Sequence, residues 1–125
     1  MLAVRSLMAF VATRDAARAR PFYEDVLGLR FVADEPYALV FDACGTLLRI
    51  QKVEAFLPHP FTALGWQVPD VAATAKVLTE RGVRFERYPG MMEQDDLGIW
   101  TSPSGARIAW FRDPDGNVLS LTQLA

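Results

Sequence analysis

The sequence predicts an α+β domain built from two βαβββ modules, and three observations carry that expectation. First, the same phrase occurs twice. Leu7-Met8-Ala9-Phe10-Val11 leads to Asp15 and a helical stretch closed by Gly28, and Ala63-Leu64-Gly65-Trp66-Gln67-Val68 leads to Asp70 and a helical stretch closed by Gly82. Second, each copy continues into short extended segments separated by turn residues. Third, those long runs without strand–helix alternation argue against a doubly wound parallel sheet. The duplication implies halves related by a pseudo-twofold, forming a curved mixed sheet with helices on one face and a central cleft on the other.

The elements follow in order. A first strand is expected over 4–12. Asp15 suits the N-cap of a helix carrying Ala19, Phe22, Tyr23, Val26 and Leu27 on one face, with Gly28 as its stop. Pro21 inside that stretch lacks a backbone donor, so it should kink the helix or delay its regular part. Extended segments are expected at 29–34, 37–43 and 46–52, with turns at Asp34-Glu35-Pro36 and Cys44-Gly45. Glu54 to Pro60 reads as the linker between module one (1–53) and module two (61–125) of a single domain. In module two a strand over 62–68 precedes a helix opened by Pro69-Asp70, with Val71, Ala75 and Leu78 facing inward. Strands are expected near 83–88, 97–102, 106–112 and 117–123, with turns at Ser102-Pro103-Ser104-Gly105 and Asp113-Pro114-Asp115-Gly116.

Composition narrows the function. With 51% hydrophobic and 22% charged residues, the chain of 125 has enough apolar material for a core and is not a disordered sequence. A net charge of −2 with no basic run offers nothing to nucleic acid or to an anionic membrane surface. No apolar stretch reaches the roughly 18 residues of a membrane span. The opening residues carry only Arg5 before a short apolar segment and show no small-residue cleavage site, so a cytoplasmic location is expected. Cys44 is the single cysteine, which rules out an internal disulfide and a thiolate zinc site; it is expected to be a small buried hydrophobe.

Strand periodicity assigns faces. Leu7, Ala9 and Val11 oppose Met8, Phe10 and Ala12; Leu48 and Ile50 oppose Leu47, Arg49 and Gln51. Leu64, Trp66 and Val68 oppose Ala63, Gly65 and Gln67; Leu119 and Leu121 oppose Val118, Ser120 and Thr122. The uniformly bulky set suits packing under helices, and the mixed set suits an accessible surface.

Phe22-Tyr23-Glu24-Asp25-Val26-Leu27-Gly28-Leu29, Phe111-Arg112-Asp113-Pro114-Asp115-Gly116-Asn117 and the paired modules resemble the vicinal oxygen chelate superfamily. That group includes glyoxalase I, extradiol dioxygenases, fosfomycin-resistance enzymes and bleomycin-resistance proteins. The resemblance covers nearly the whole chain and implies the fold; it does not choose among activities. In metal-dependent members it implies a divalent ion held by His or Gln on the first strand of each half and by Glu on the last. Those positions carry Met8 and Ala63, then Arg49 and Ser120, in this chain. None matches, and the single histidine, His59, lies in the linker. A guanidinium about 4 Å from a divalent ion opposes it by about 8 kcal/mol at an effective dielectric of about 20.

The reading is therefore a metal-independent, cofactor-free protein that binds a small, partly aromatic organic molecule, as in drug or toxin sequestration, and that works as a homodimer. The residues expected to line its site are Met8, Phe10, Leu47, Arg49, Gln51, Ala63, Gln67, Trp110 and Ser120. Arg49 is the anchor for an anion or carbonyl, unless a carboxylate such as Asp42 pairs with it. The alternative is a lyase, isomerase or dioxygenase of the same superfamily with a non-standard active site. His59 reads as an exposed linker residue, and Glu93, Asp95 and Asp96 as a solvated loop or a lid over 90–98. Trp100 and Trp110 divide between packing and stacking on a planar guest, and Asp113 and Asp115 are turn formers.

Overall fold

The computed structural model describes residues 2–125 and contains two four-stranded mixed sheets. The chain divides into two compact units, Met1–Pro58 and His59–Ala125. In the first, β1 (Met8–Thr13), α1 (Ala16–Pro21), β2 (Arg30–Asp34), β3 (Ala38–Ala43) and β4 (Thr46–Lys52) form a sheet of order β1-β4-β3-β2. In the second, β5 (Thr62–Gln67), α2 (Val71–Glu80), β6 (Trp100–Thr101), β7 (Arg107–Arg112) and β8 (Val118–Gln123) form a sheet of order β5-β8-β7-β6. Each unit is βαβββ. The helix carries the chain back across the sheet, so β1 pairs parallel with β4 and β5 parallel with β8, while the hairpin-connected strands pair antiparallel.

Asp15 caps α1 by accepting the Arg18 N–H at 3.3 Å, so the helix does begin ahead of Pro21. Pro21 offers no N–H, and its ring crowds the carbonyl one turn back. The chain answers by widening: Phe22–Val26 is a π-helical turn, in which the Leu27 N–H reaches the Phe22 carbonyl at 2.9 Å. Gly28, at φ +72, then ends the helical run, and the Leu29 N–H returns to the Tyr23 carbonyl at 3.0 Å. The inward face is fully buried at Ala19 and Tyr23; the Tyr23 ring lies 6.0 Å from that of Phe41, and Phe41, Leu48 and Ile50 of β3 and β4 are equally buried on one side of the sheet. In the second unit Asp70 caps α2 through the Ala73 N–H at 3.0 Å, and Val71 and Ala75 close over Ala109, Phe111 and Leu119.

Several expectations need correction. The first strand begins at Met8, not at residue 4; Leu2, Val4 and Leu7 are exposed and unpaired. The segment 83–88 is not a strand. It runs beside β7 with one backbone bond, from the Glu86 N–H to the Trp110 carbonyl, and the expected strand over 97–102 shrinks to Trp100–Thr101. Cys44 is exposed, not buried. It occupies the hairpin tip with Gly45, and both residues hold positive φ (59° and 94°), the geometry of a tight turn matched to the twist of its strands.

Two turns are fixed by aspartates. Asp42 accepts the Gly45 N–H at 2.7 Å and the Arg30 guanidinium at 3.0 Å, which together hold its carboxyl below the usual carboxylate range. Asp113 accepts the N–H groups of Asp115 and Asn117 and the Asn117 side-chain amide, all at 2.8–2.9 Å and all buried. Replacing Asp113 by Ala strands those donors, so urea unfolding should show a loss of about 3 kcal/mol. Because the folded value of Asp42 is depressed, its contribution is complete above the ordinary carboxylate range and disappears as pH falls through the folded value. Stability measured against pH should therefore show a shallower acid limb in Asp42→Asn.

Candidate functional site

β4 is the central strand of its sheet, and alternation sends Leu48 and Ile50 under the helix and Leu47, Arg49 and Gln51 to the opposite, open face. On that face Met8 pairs across from Leu47, Phe10 from Arg49 and Ala12 from Gln51 on one side, with Val40 next to Arg49 on the other. Met8, Phe10 and Leu47 are 42%, 51% and 41% exposed, so three large apolar side chains on the same face as Arg49 remain accessible to solvent. Arg49 is not paired with Asp42, which is taken by Arg30 and Gly45. Its partner is Glu35, with Nη1 donating to Oε1 at 2.9 Å. Glu35 stands at the β2–β3 turn, where its N–H donates to the Ala38 carbonyl at 2.9 Å and its own carbonyl accepts Lys52 Nζ at 2.8 Å.

In the second unit β8 is central. Leu119 and Leu121 go under the helix, while Ser120 lies between Gly65 on β5 and Trp110 on β7. A register shift between Thr62 and Leu64 changes the expected face. Thr62 pairs with Val118 and its hydroxyl accepts the Trp110 indole N–H at 3.2 Å, whereas Ala63 is the extra, exposed residue of the bulge. Gln67 is exposed beside Thr122. Trp110 is flanked by Tyr88, edge-on at 5.7 Å, and by Trp100 at 6.2 Å, which makes a half-buried aromatic corner. Burial first, and the neighbouring Glu86 second, push the Tyr88 phenol above its ordinary value.

The segment expected as a solvated loop or lid is cross-tied. The Gln94 carboxamide accepts the Tyr88 N–H at 2.7 Å and donates to the carbonyls of Glu86 and Gly98 at 2.9 and 3.0 Å. Arg87 donates to the carbonyls of Asp95 and Asp96, and Asp95 accepts the N–H groups of Leu97 and Ile99 at 2.9 Å. His59 is exposed and stacks on Phe61 at 4.9 Å. Among the described residues no group of three or more His, Cys, Asp or Glu side chains is placed to hold a metal ion, and no helix is long and apolar enough to cross a membrane.

The profile of the Glyoxalase/Bleomycin resistance protein/Dioxygenase superfamily matches residues 5–121. The chain belongs to that superfamily. Among solved structures it is similar to a member of the same superfamily from Sphaerobacter thermophilus DSM 20745, with 25% identity over 95% of this chain and 98% of that one and a TM-score of 0.72. It also resembles a lactoylglutathione lyase from Agrobacterium tumefaciens (19% identity, 94% and 92% covered, TM-score 0.72). A glyoxalase/bleomycin resistance protein/dioxygenase from Alicyclobacillus acidocaldarius is similar at 19% identity, with 96% and 91% covered and a TM-score of 0.69. At such identities the last two likenesses show the fold alone. No curated protein matches the chain's sequence significantly.

The metal that this superfamily implies is not fitted by the residues present. In the first unit the expected ligand positions hold a thioether, Met8, and a guanidinium already bound to Glu35; in the second they hold a methyl group, Ala63, and the Ser120 hydroxyl. None offers the imidazole or carboxylate that a hard divalent ion needs.

Of the expected lining residues, the structure brings Met8, Phe10, Leu47, Arg49 and Gln51 onto one face of the first unit, and Gln67, Trp110 and Ser120 onto one face of the second. Thr62, Tyr88, Glu35 and Gln94 went unrecognised in the sequence. A bulge leaves no local signature to reveal Thr62, while Glu35 was visible only as a turn residue. Gly65 has its own constraint: a Cβ there would meet Ser120 Oγ at 2.4 Å. Gly65→Ala should thus lower unfolding stability by about 1 kcal/mol as the hydroxyl is forced aside, and thermal melts should show most of that loss disappearing in the Ser120→Ala background.

Proposed function

We propose that this protein binds a small, partly aromatic organic molecule without a metal or cofactor, and that its role is sequestration of such a compound, as of a drug or toxin. The observation that carries the reading is the Arg49 face: a partly buried cation that shares its side of the sheet with the exposed side chains of Met8, Phe10 and Leu47. Apolar surface with a few convergent polar groups is the usual make-up of a small-molecule site. Gln51 extends that face with a neutral hydrogen-bonding group. The Tyr88–Trp110–Trp100 corner, with Thr62 and Ser120 beside Trp110 and Gln67 on the same face, gives the second unit a surface suited to stacking on a planar guest.

Two further parts belong to the reading. The protein acts as a homodimer, supported by the exposed Leu2, Val4 and Leu7 ahead of β1, an apolar strip that a second copy would cover. It works in the cytoplasm, supported by its single cysteine, Cys44, being an exposed free thiol, as suits a reducing compartment.

The test joins elemental analysis of purified protein to thermal melts with a panel of planar aromatic compounds. A ligand present at about a hundredfold its Kd should stabilise the protein by about 2.7 kcal/mol. That gain should fall sharply in Arg49→Ala or Trp110→Ala. A stoichiometric metal whose removal by chelator abolishes turnover would sink the sequestration reading in favour of a lyase, isomerase or dioxygenase.

A further inference from the structure

We propose that the Arg49 face selects guests that are small apolar carboxylates, and that Glu35 is a resident carboxylate which the incoming one displaces. The inference rests on the small-molecule reading above and names the ligand class for the same face.

The two partners of the ion pair are held differently. Arg49 sits on a central strand whose backbone is paired on both sides, to Phe10 and to Val40. Its side chain is 28% exposed, so its position is fixed by the sheet. Glu35 is at a turn whose backbone is tied twice, by its N–H on the Ala38 carbonyl and by Lys52 on its own carbonyl. Only the Glu35 side chain remains to move, and it is 47% exposed. Withdrawal of that carboxylate into water therefore disturbs no backbone bond and leaves the guanidinium behind.

Exchange is cheap because an exposed ion pair contributes little to stability. A guest carboxylate would replace the lost partner through the same planar, charge-assisted hydrogen bonds. An apolar body attached to it would gain what Glu35 cannot, the covering of Met8, Phe10 and Leu47. The other charges nearby support the sign. Lys52 is engaged by Asp34, and Arg30 by Asp42, so each of those pairs is neutral. Once Glu35 swings away, the surplus at this face is the single positive charge of Arg49. A cationic guest drawn to Glu35 would have to lie against Arg49 and Lys52 together.

Isothermal titration calorimetry on the full chain tests this with three probes sharing one aromatic body: naphthoate, naphthamide and naphthylmethylamine. Wild type, Glu35→Gln and Arg49→Gln are compared at neutral pH, with thermal melts to show that each variant is folded. Naphthoate should bind wild type about tenfold tighter than naphthamide. Glu35→Gln should tighten naphthoate by about threefold to fivefold, the worth of an exposed ion pair, and leave naphthamide unchanged. Arg49→Gln should erase the preference for the acid. Equal binding of acid and amide in all three proteins would overturn the carboxylate inference while leaving the small-molecule reading in place. Preference for the amine, lost in Glu35→Gln, would overturn it as well. Failure of every probe to bind any of the three proteins would remove both readings.

Discussion

The rest of the structure depends on the sealing of one face of each sheet beneath a short helix. Tyr23, Phe41, Leu48 and Ile50 in the first unit, and Val71, Ala75, Phe111 and Leu119 in the second, are fully buried on that side. Each large side chain so buried contributes about 1.5–3 kcal/mol. A slip of one residue in β4 or β8 would exchange its two faces and expose that whole set. This constraint opposes any slip in the pairing register, and it places Arg49 and Ser120 on the opposite side. The chemistry of the open faces is thus a by-product of where the core must go, and evolution is free to vary it without touching the fold.

The two units exploit that freedom differently. They share the order of elements, an aspartate N-cap on the first helix and the parallel closure of first strand on last. The open face of the first carries Met8, Phe10 and Leu47 around one ion pair, whereas that of the second has Tyr88, Trp100 and Trp110 near a hydroxyl and a glycine. Their hairpin turns diverge too. Cys44-Gly45 is a tight exposed tip steadied by Asp42, while Asp113 to Asn117 is a buried, internally hydrogen-bonded loop. Met8, Arg49, Ala63 and Ser120 offer no imidazole or carboxylate, and all four lie off the faces packed beneath the helices.

Loop 86–98 shows how a segment without regular structure can still be ordered. Its backbone groups find partners in one glutamine carboxamide, one arginine and one aspartate rather than in a ladder. The result holds Tyr88 against Trp110 and so builds the aromatic corner from residues far apart in sequence.

The sequence by itself determined the duplication, the helix caps at Asp15 and Asp70, the glycine stops, and the inward and outward sets of β1, β4 and β8. All of these follow from local periodicity or from a single residue's backbone preference, which neighbours along the chain suffice to express. Only the tertiary structure decided that Glu35 rather than Asp42 meets Arg49, that Thr62 replaces Ala63 on the open face, that 83–88 forms no strand, and that a π-helical turn follows Pro21. Each of those depends on which backbone groups are already occupied by residues distant in sequence: Gly45 and Arg30 claim Asp42, and β8 sets the bulge in β5. Competition among distant partners leaves no trace in a local pattern.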